Sequence, residues 1–89
     1  MTQYNIYHNT YSSAIQEVIR FVHNNKYELD NDQVFQITGI DNSRPKNGQT
    51  TRFSLDIYKN GVKNKKCVHV QVFNRGTNTN NYELNMYIL

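Results

Sequence analysis

Arg52-Phe53-Ser54-Leu55-Asp56-Ile57-Tyr58 alternates polar and apolar residues at every step, placing Phe53, Leu55 and Ile57 on one face. Side chains of an extended chain point to opposite sides with a period of two, so this is a strand with one face for a core and one for another environment. The pattern recurs downstream. Val68, Val70 and Val72 alternate with Cys67, His69, Gln71 and Phe73, and Tyr82, Leu84, Met86 and Ile88 alternate with Glu83, Asn85, Tyr87 and Leu89. Upstream, residues 34–40 are β-rich and residues 26–29 suit a shorter strand, turning at Asp30-Asn31-Asp32. Breaker clusters at 42–49, with the only proline, and at 74–81 separate the strands.

Before the strands lies one clear helix. Ala14, Ile15, Val18, Ile19 and Val22 follow the i, i+3, i+4, i+7 spacing of a helical face. Ser12 or Ser13 is a natural N-cap, and Ser13 with Gln16 has capping-box spacing. Asn24-Asn25 suits a left-handed stop. The expected organisation is a single domain over 1–89: an arm at 1–10, a helix at 11–25 and an antiparallel sheet over 26–89. With no helix between strands the sheet is antiparallel, and one helical stripe is too narrow to cover a wide flat sheet. The fold class is therefore α+β, mostly β: an N-terminal helix followed by a strongly bent five-stranded antiparallel sheet. Asn60-Gly61 invites a two-residue hairpin turn. A tight turn sets Lys66 opposite Leu55 and Asn64 opposite Ile57, on the core side, so facing demands favour a longer or projecting connection.

Composition narrows the function. Eighty-nine residues give one modest core. Cys67 is the lone cysteine, so no internal disulfide forms and a reducing compartment is expected. No long apolar run spans a membrane, and the polar start holds no signal-peptide core. The net charge of +3 admits a polyanion partner without demanding one.

The chemistry-bearing residues are sparse. Cys67 and His69 share a strand face, yet no further Cys or His pair completes a zinc set, so no metal or other cofactor is expected. Ser12, Ser13, Ser43 and Ser54 lie in no nucleophile elbow, and no glycine-rich phosphate loop exists, so no catalytic residue is assigned. The basic residues are more informative. Lys59, Lys63, Lys65 and Lys66 gather around the 60–61 turn, and Arg44, Lys46 and Arg52 flank the 42–49 loop. Such lysines contact phosphates or keep a sheet edge soluble. Tyr58 and Phe73 suit base stacking, while Phe73, Tyr87 and Leu89, apolar on the outer side of the last two strands, suit a subunit interface.

Helix followed by five strands resembles the Sm-like family. Phe73-Asn74-Arg75-Gly76-Thr77-Asn78 is similar to that family's Arg-Gly motif, and Ile37-Thr38-Gly39-Ile40-Asp41 is similar to its Gly-apolar-Asp segment ending the second strand. Asn47 stands for the base-binding loop asparagine, although it lies further from Asp41 than the family pattern and Pro45 interrupts the segment. The resemblance implies a partly open barrel. It also implies a closed homo-oligomeric ring, joined by pairing of the fourth strand with the neighbour's fifth, that binds single-stranded RNA. Carried over, the RNA-binding residues are Asp41, Asn47, Arg75 and Gly76, with Lys63, Lys65 and Lys66 added from the basic hairpin. The Asn- and Tyr-rich composition and Tyr82-Glu83-Leu84-Asn85 resemble small proteins of T4-like and cyanobacterial phages, implying the cytoplasm of an infected host. Two alternatives stand beside this reading: a small phage protein that binds and modulates a host protein, and a RelE-like small ribonuclease drawing on His69, Arg75 and Tyr87.

Overall fold

The computed structural model describes residues 2–39 and 44–89, in the order β1 (Thr2–His8), α1 (Tyr11–Asn24), β2 (Glu28–Leu29), α2 (Asn31–Gly39), β3 (Thr50–Lys59), β4 (Val62–Asn74) and β5 (Tyr82–Ile88). The strands form one strongly curled, half-barrel antiparallel sheet in the order β1-β5-β4-β3-β2. The fold is thus α+β and mostly β. The chain starts at one edge, crosses the sheet as α1, and enters the other edge at β2. It then returns as the meander β3, β4, β5, so the first and last strands are neighbours.

The α1 boundary is set by Thr10, not by Ser12 or Ser13. Thr10 is extended, its Oγ1 accepts from Ser13 N at 3.1 Å, and its carbonyl accepts from Ala14 N. At the far end Lys26, φ +69, takes the left-handed position expected of Asn24-Asn25. Lys26 N donates to His23 O and Tyr27 N to Val22 O, the paired bonds of a Schellman stop. The stripe Tyr11, Ala14, Ile15, Val18, Phe21 and Val22 is buried against Leu55, Ile57, Val68, Val70, Val72, Leu84, Met86 and Ile88. Phe21, rather than Ile19, completes it.

Two segments depart from expectation. The 1–10 arm is mostly the edge strand β1. Thr2 lies opposite Tyr87 and Ile6 opposite Leu84, with a register shift between Gln3 and Ile6. Asn5, φ +58, lies within that bulge and donates its N–H to Asn85 Oδ1. The bulge destroys the period of two, so Tyr4 and Tyr7 carry no strand signal.

Residues 34–40 were expected to be a strand; residues 34–39 belong to α2. Asp30 Oδ1 accepts from Asp32 N, and Asp30 O accepts from Val34 N. This local cap outweighs the β preference of Val34 and Ile37. The Gly39 that was matched to a strand end is thus helical, and Ile40 and Asp41 lie outside the described residues. Gln33 of α2 reaches β3: Asp56 N donates to Gln33 Oε1 at 3.1 Å, and Gln33 Nε2 donates to Asp56 Oδ2 at 3.3 Å. Because β2 is two residues long, this amide serves the β3 edge as an added strand would.

The β3–β4 hairpin reconciles turn and register. Asn60 (φ +53) and Gly61 (φ +78) make the two-residue turn with Lys59 opposite Val62. Between Tyr58↔Lys63 and Asp56↔Cys67, Ile57 faces three residues, Asn64 to Lys66, and Lys66 N donates to Asn64 Oδ1 within that bulge. Leu55 thereby meets Val68 on the core side, and Lys66 stays exposed. Among the described residues no helix is long and apolar enough to cross a membrane.

Candidate functional site

The inward set on β3, β4 and β5 leaves Arg52, Ser54, Asp56, Cys67, His69, Gln71, Phe73, Glu83, Asn85 and Tyr87 on the opposite face, away from α1. At its centre His69 lies between Ser54 and Tyr87. Ser54 Oγ and His69 Nδ1 are 2.7 Å apart, and His69 Nε2 is 3.3 Å from Leu89 O. A carbonyl only accepts, so in the neutral ring Nε2 carries the proton and the Ser54 hydroxyl donates to Nδ1. These bonds fix the ring, which stacks on Tyr87 at 4.8 Å between centroids and 26° between planes. A concavity of about 260 Å³ beside the stack is lined by Arg52, Ser54, His69, Gln71 and Tyr87. Arg52 makes no ion pair among the described residues, whereas Lys63 is 3.6 Å from Asp56.

The strand end carries a second cluster, organised by Asn74. Its position follows Val68, Val70 and Val72 on the core side, and it is 5 % exposed. Its Nδ2 donates to Pro45 O at 2.9 Å and its Oδ1 accepts from Gly76 N at 2.9 Å. Its backbone pairs with Gly48 N and Gln49 O. The loop before β3 is thereby tied to the loop after β4, which brings Asn47, Arg75 and Gly76 together. A Cβ built on Gly76 would lie 3.6 Å from Asn47 Cβ, an ordinary contact; the φ of +71° is what favours glycine there. Arg75 is engaged: its guanidinium donates to Asn80 O and lies 5.0 Å from the centre of the Tyr7 ring, while Tyr7 donates to Glu83.

The residues expected to bind RNA therefore divide. Asn47, Arg75 and Gly76 share one end, Asp41 lies outside the described residues, and Lys63, Lys65 and Lys66 lie at the hairpin end. The nine residue steps from Lys66 in β4 to Arg75 just beyond its end span roughly 30 Å. Phe73 and Tyr87 are half-buried on the open face, and Leu89 is 75 % exposed beyond β5. The expected ring contact, strand 67–73 against a neighbour's 82–89, meets no free edge. Strand β4 is flanked by β3 and β5, and β5 by β4 and β1. Of the ribonuclease residues, His69 and Tyr87 touch, while Arg75 lies on Tyr7 near the other end of the face. Cys67 Sγ meets Asp56 Oδ1 at 3.8 Å, and no group of three or more His, Cys, Asp or Glu suited to a metal occurs among the described residues.

Sequence reasoning missed Asn74 as the tie between the loops and Ser54 as the partner of His69. Both were signalled: Asn74 is a polar residue in a core-facing register, and Ser54 stands opposite His69 once Leu55 and Val68 are matched. No protein-family model matches the chain, and neither a curated protein nor a solved structure matches it. Fold and site together define a mostly-β α+β domain with one open sheet face of aromatic, basic and amide side chains.

Proposed function

We propose that this chain is a non-enzymatic, single-stranded RNA-binding domain that lays the strand across the open face of its sheet. The observation that carries this is the His69–Tyr87 stack, held by Ser54 and Leu89, beside Arg52, which makes no ion pair among the described residues. Pre-oriented rings give a base a π-surface, and base–aromatic stacking contributes about 1–3 kcal/mol per base. Arg52 supplies a phosphate contact, and Gln71, directly opposite it, supplies an amide for a base edge. Phe73 and the Arg75-capped Tyr7 extend the platform toward the Asn47–Gly76 loops. Those loops are the part of the Sm-like resemblance that supports this reading; a ring by pairing of the last two strands has no edge to use.

Anisotropy of a labelled single-stranded RNA, titrated at several salt concentrations, tests the proposal. Binding with log affinity falling linearly in log salt is expected. Absence of binding at low salt overturns it.

A second reading is favoured by the exposure of Leu89 and Tyr7: the same side docks a protein, either a host factor or a second copy. A stable mass above the monomer by light scattering, lost on Leu89→Lys, would favour the second copy.

A further inference from the structure

The N-terminus of α1 opens onto a cleft of about 390 Å³ lined by Thr10, Tyr11, Ser12, Arg44 and Asn81, among others. Thr10 satisfies Ser13 N and Ala14 N, and the helix has no acceptor for the N–H groups of Tyr11 and Ser12. The first turn holds no acidic residue, so the helix itself does not compensate the positive end of its dipole. Arg44 lies 5.8 Å from the centre of the Tyr11 ring and has no carboxylate partner among the described residues. The acid of this helix, Glu17, is already shared between His8 at 3.4 Å and Arg20 at 3.3 Å.

The independent observation is Tyr11 itself. It is 4 % exposed, and its hydroxyl, buried, has no hydrogen-bond partner among the described residues. An unmet buried hydroxyl costs about 1–3 kcal/mol. Burial also raises its pKa above the ordinary 10.0, with Arg44 acting in the opposite direction, so at neutral pH the hydroxyl keeps a proton to donate.

We propose that this cleft is an anion site that takes a phosphate group, held by the Tyr11 and Ser12 amides, the Arg44 guanidinium and the Tyr11 hydroxyl. Two backbone donors, a guanidinium fork and a hydroxyl outnumber what the two oxygens of a carboxylate serve in one plane; the tetrahedral oxygens of phosphate serve them all. The site is separate from the sheet face and does not depend on that reading.

The test is a titration of the full chain with sodium phosphate, with sodium chloride at matched ionic strength as control, followed by amide shifts of Tyr11 and Ser12. Phosphate-specific, saturable shifts are expected. Arg44→Gln is expected to weaken the affinity about tenfold. Tyr11→Phe, which keeps the ring in the core, is expected to weaken it several-fold with an unchanged far-UV spectrum. Equal shifts in both salts, or full phosphate affinity in folded Arg44→Gln, overturns the proposal. A 5′-phosphorylated oligoribonucleotide that shifts the same amides, where its 5′-hydroxyl counterpart does not, identifies a strand end as the phosphate source; response to inorganic phosphate alone identifies the free ion.

Discussion

His69 and Tyr87, neighbours across β4 and β5, stack at 4.8 Å on the side of the sheet away from α1, with both imidazole nitrogens of His69 engaged. A ring pinned in this way loses little further freedom on binding, which is what makes the pair a platform.

Tyr87→Ala is expected to lower RNA affinity about tenfold or more, the value of one stacked base, while Tyr87→Phe retains most of it. Arg52→Gln is expected to flatten the log–log salt slope by about 0.7. Anisotropy titrations at three salt concentrations measure both.

Asn74→Ala removes two side-chain hydrogen bonds from a buried site and leaves Pro45 O and Gly76 N unmet. A loss of about 2–3 kcal/mol is expected, read by urea denaturation. Asn74→Asp, which keeps the acceptor and loses the donor to Pro45 O, is expected to fall between.

Lys26→Gly is expected to stabilise the fold by about 0.5–1 kcal/mol, because φ at Lys26 is +69° and glycine adopts that region without a Cβ clash. A rise in thermal midpoint with unchanged spectra checks it.

Gln33→Ala uncovers Asp56 N on the β3 edge. An exposed edge pairs with other chains, so concentration-dependent self-association in sedimentation is expected, absent from the parent at equal concentration.

Tyr11 links stability to alkaline pH. Burial, its largest influence, raises its folded pKa above the ordinary 10.0, Arg44 opposing. The folded state then holds the proton more tightly than the unfolded one, so this contribution is fully present below pH 10 and is lost as pH rises through the folded value. Denaturation midpoints are expected to fall between pH 10 and higher pH, and Tyr11→Phe is expected to reduce that fall.

The long meander was readable because Leu55, Val68 and Leu84 each sit in an unbroken period of two, and helix α1 because its stripe is continuous. The edge strand β1 was not readable: its single inward apolar residue, Ile6, follows the Asn5 bulge, and its partner β5 lies some eighty residues away in sequence. Helix α2 was misread because Val34, Phe35 and Ile37 favour strands, whereas the deciding interactions are the Asp30 cap and the Gln33 contact with Asp56. For the site, the face was legible from alternation. The wide separation of Lys66 from Arg75 follows from β4, which runs on from Lys66 to Asn74 and leaves Arg75 just beyond its far end.

The most direct test of the open-face claim is a map of amide shifts on the labelled protein titrated with a single-stranded RNA oligomer. Saturable shifts at Arg52, Ser54, His69, Gln71 and Tyr87 are expected. Shifts confined to other surfaces, or none at low salt, would contradict the claim.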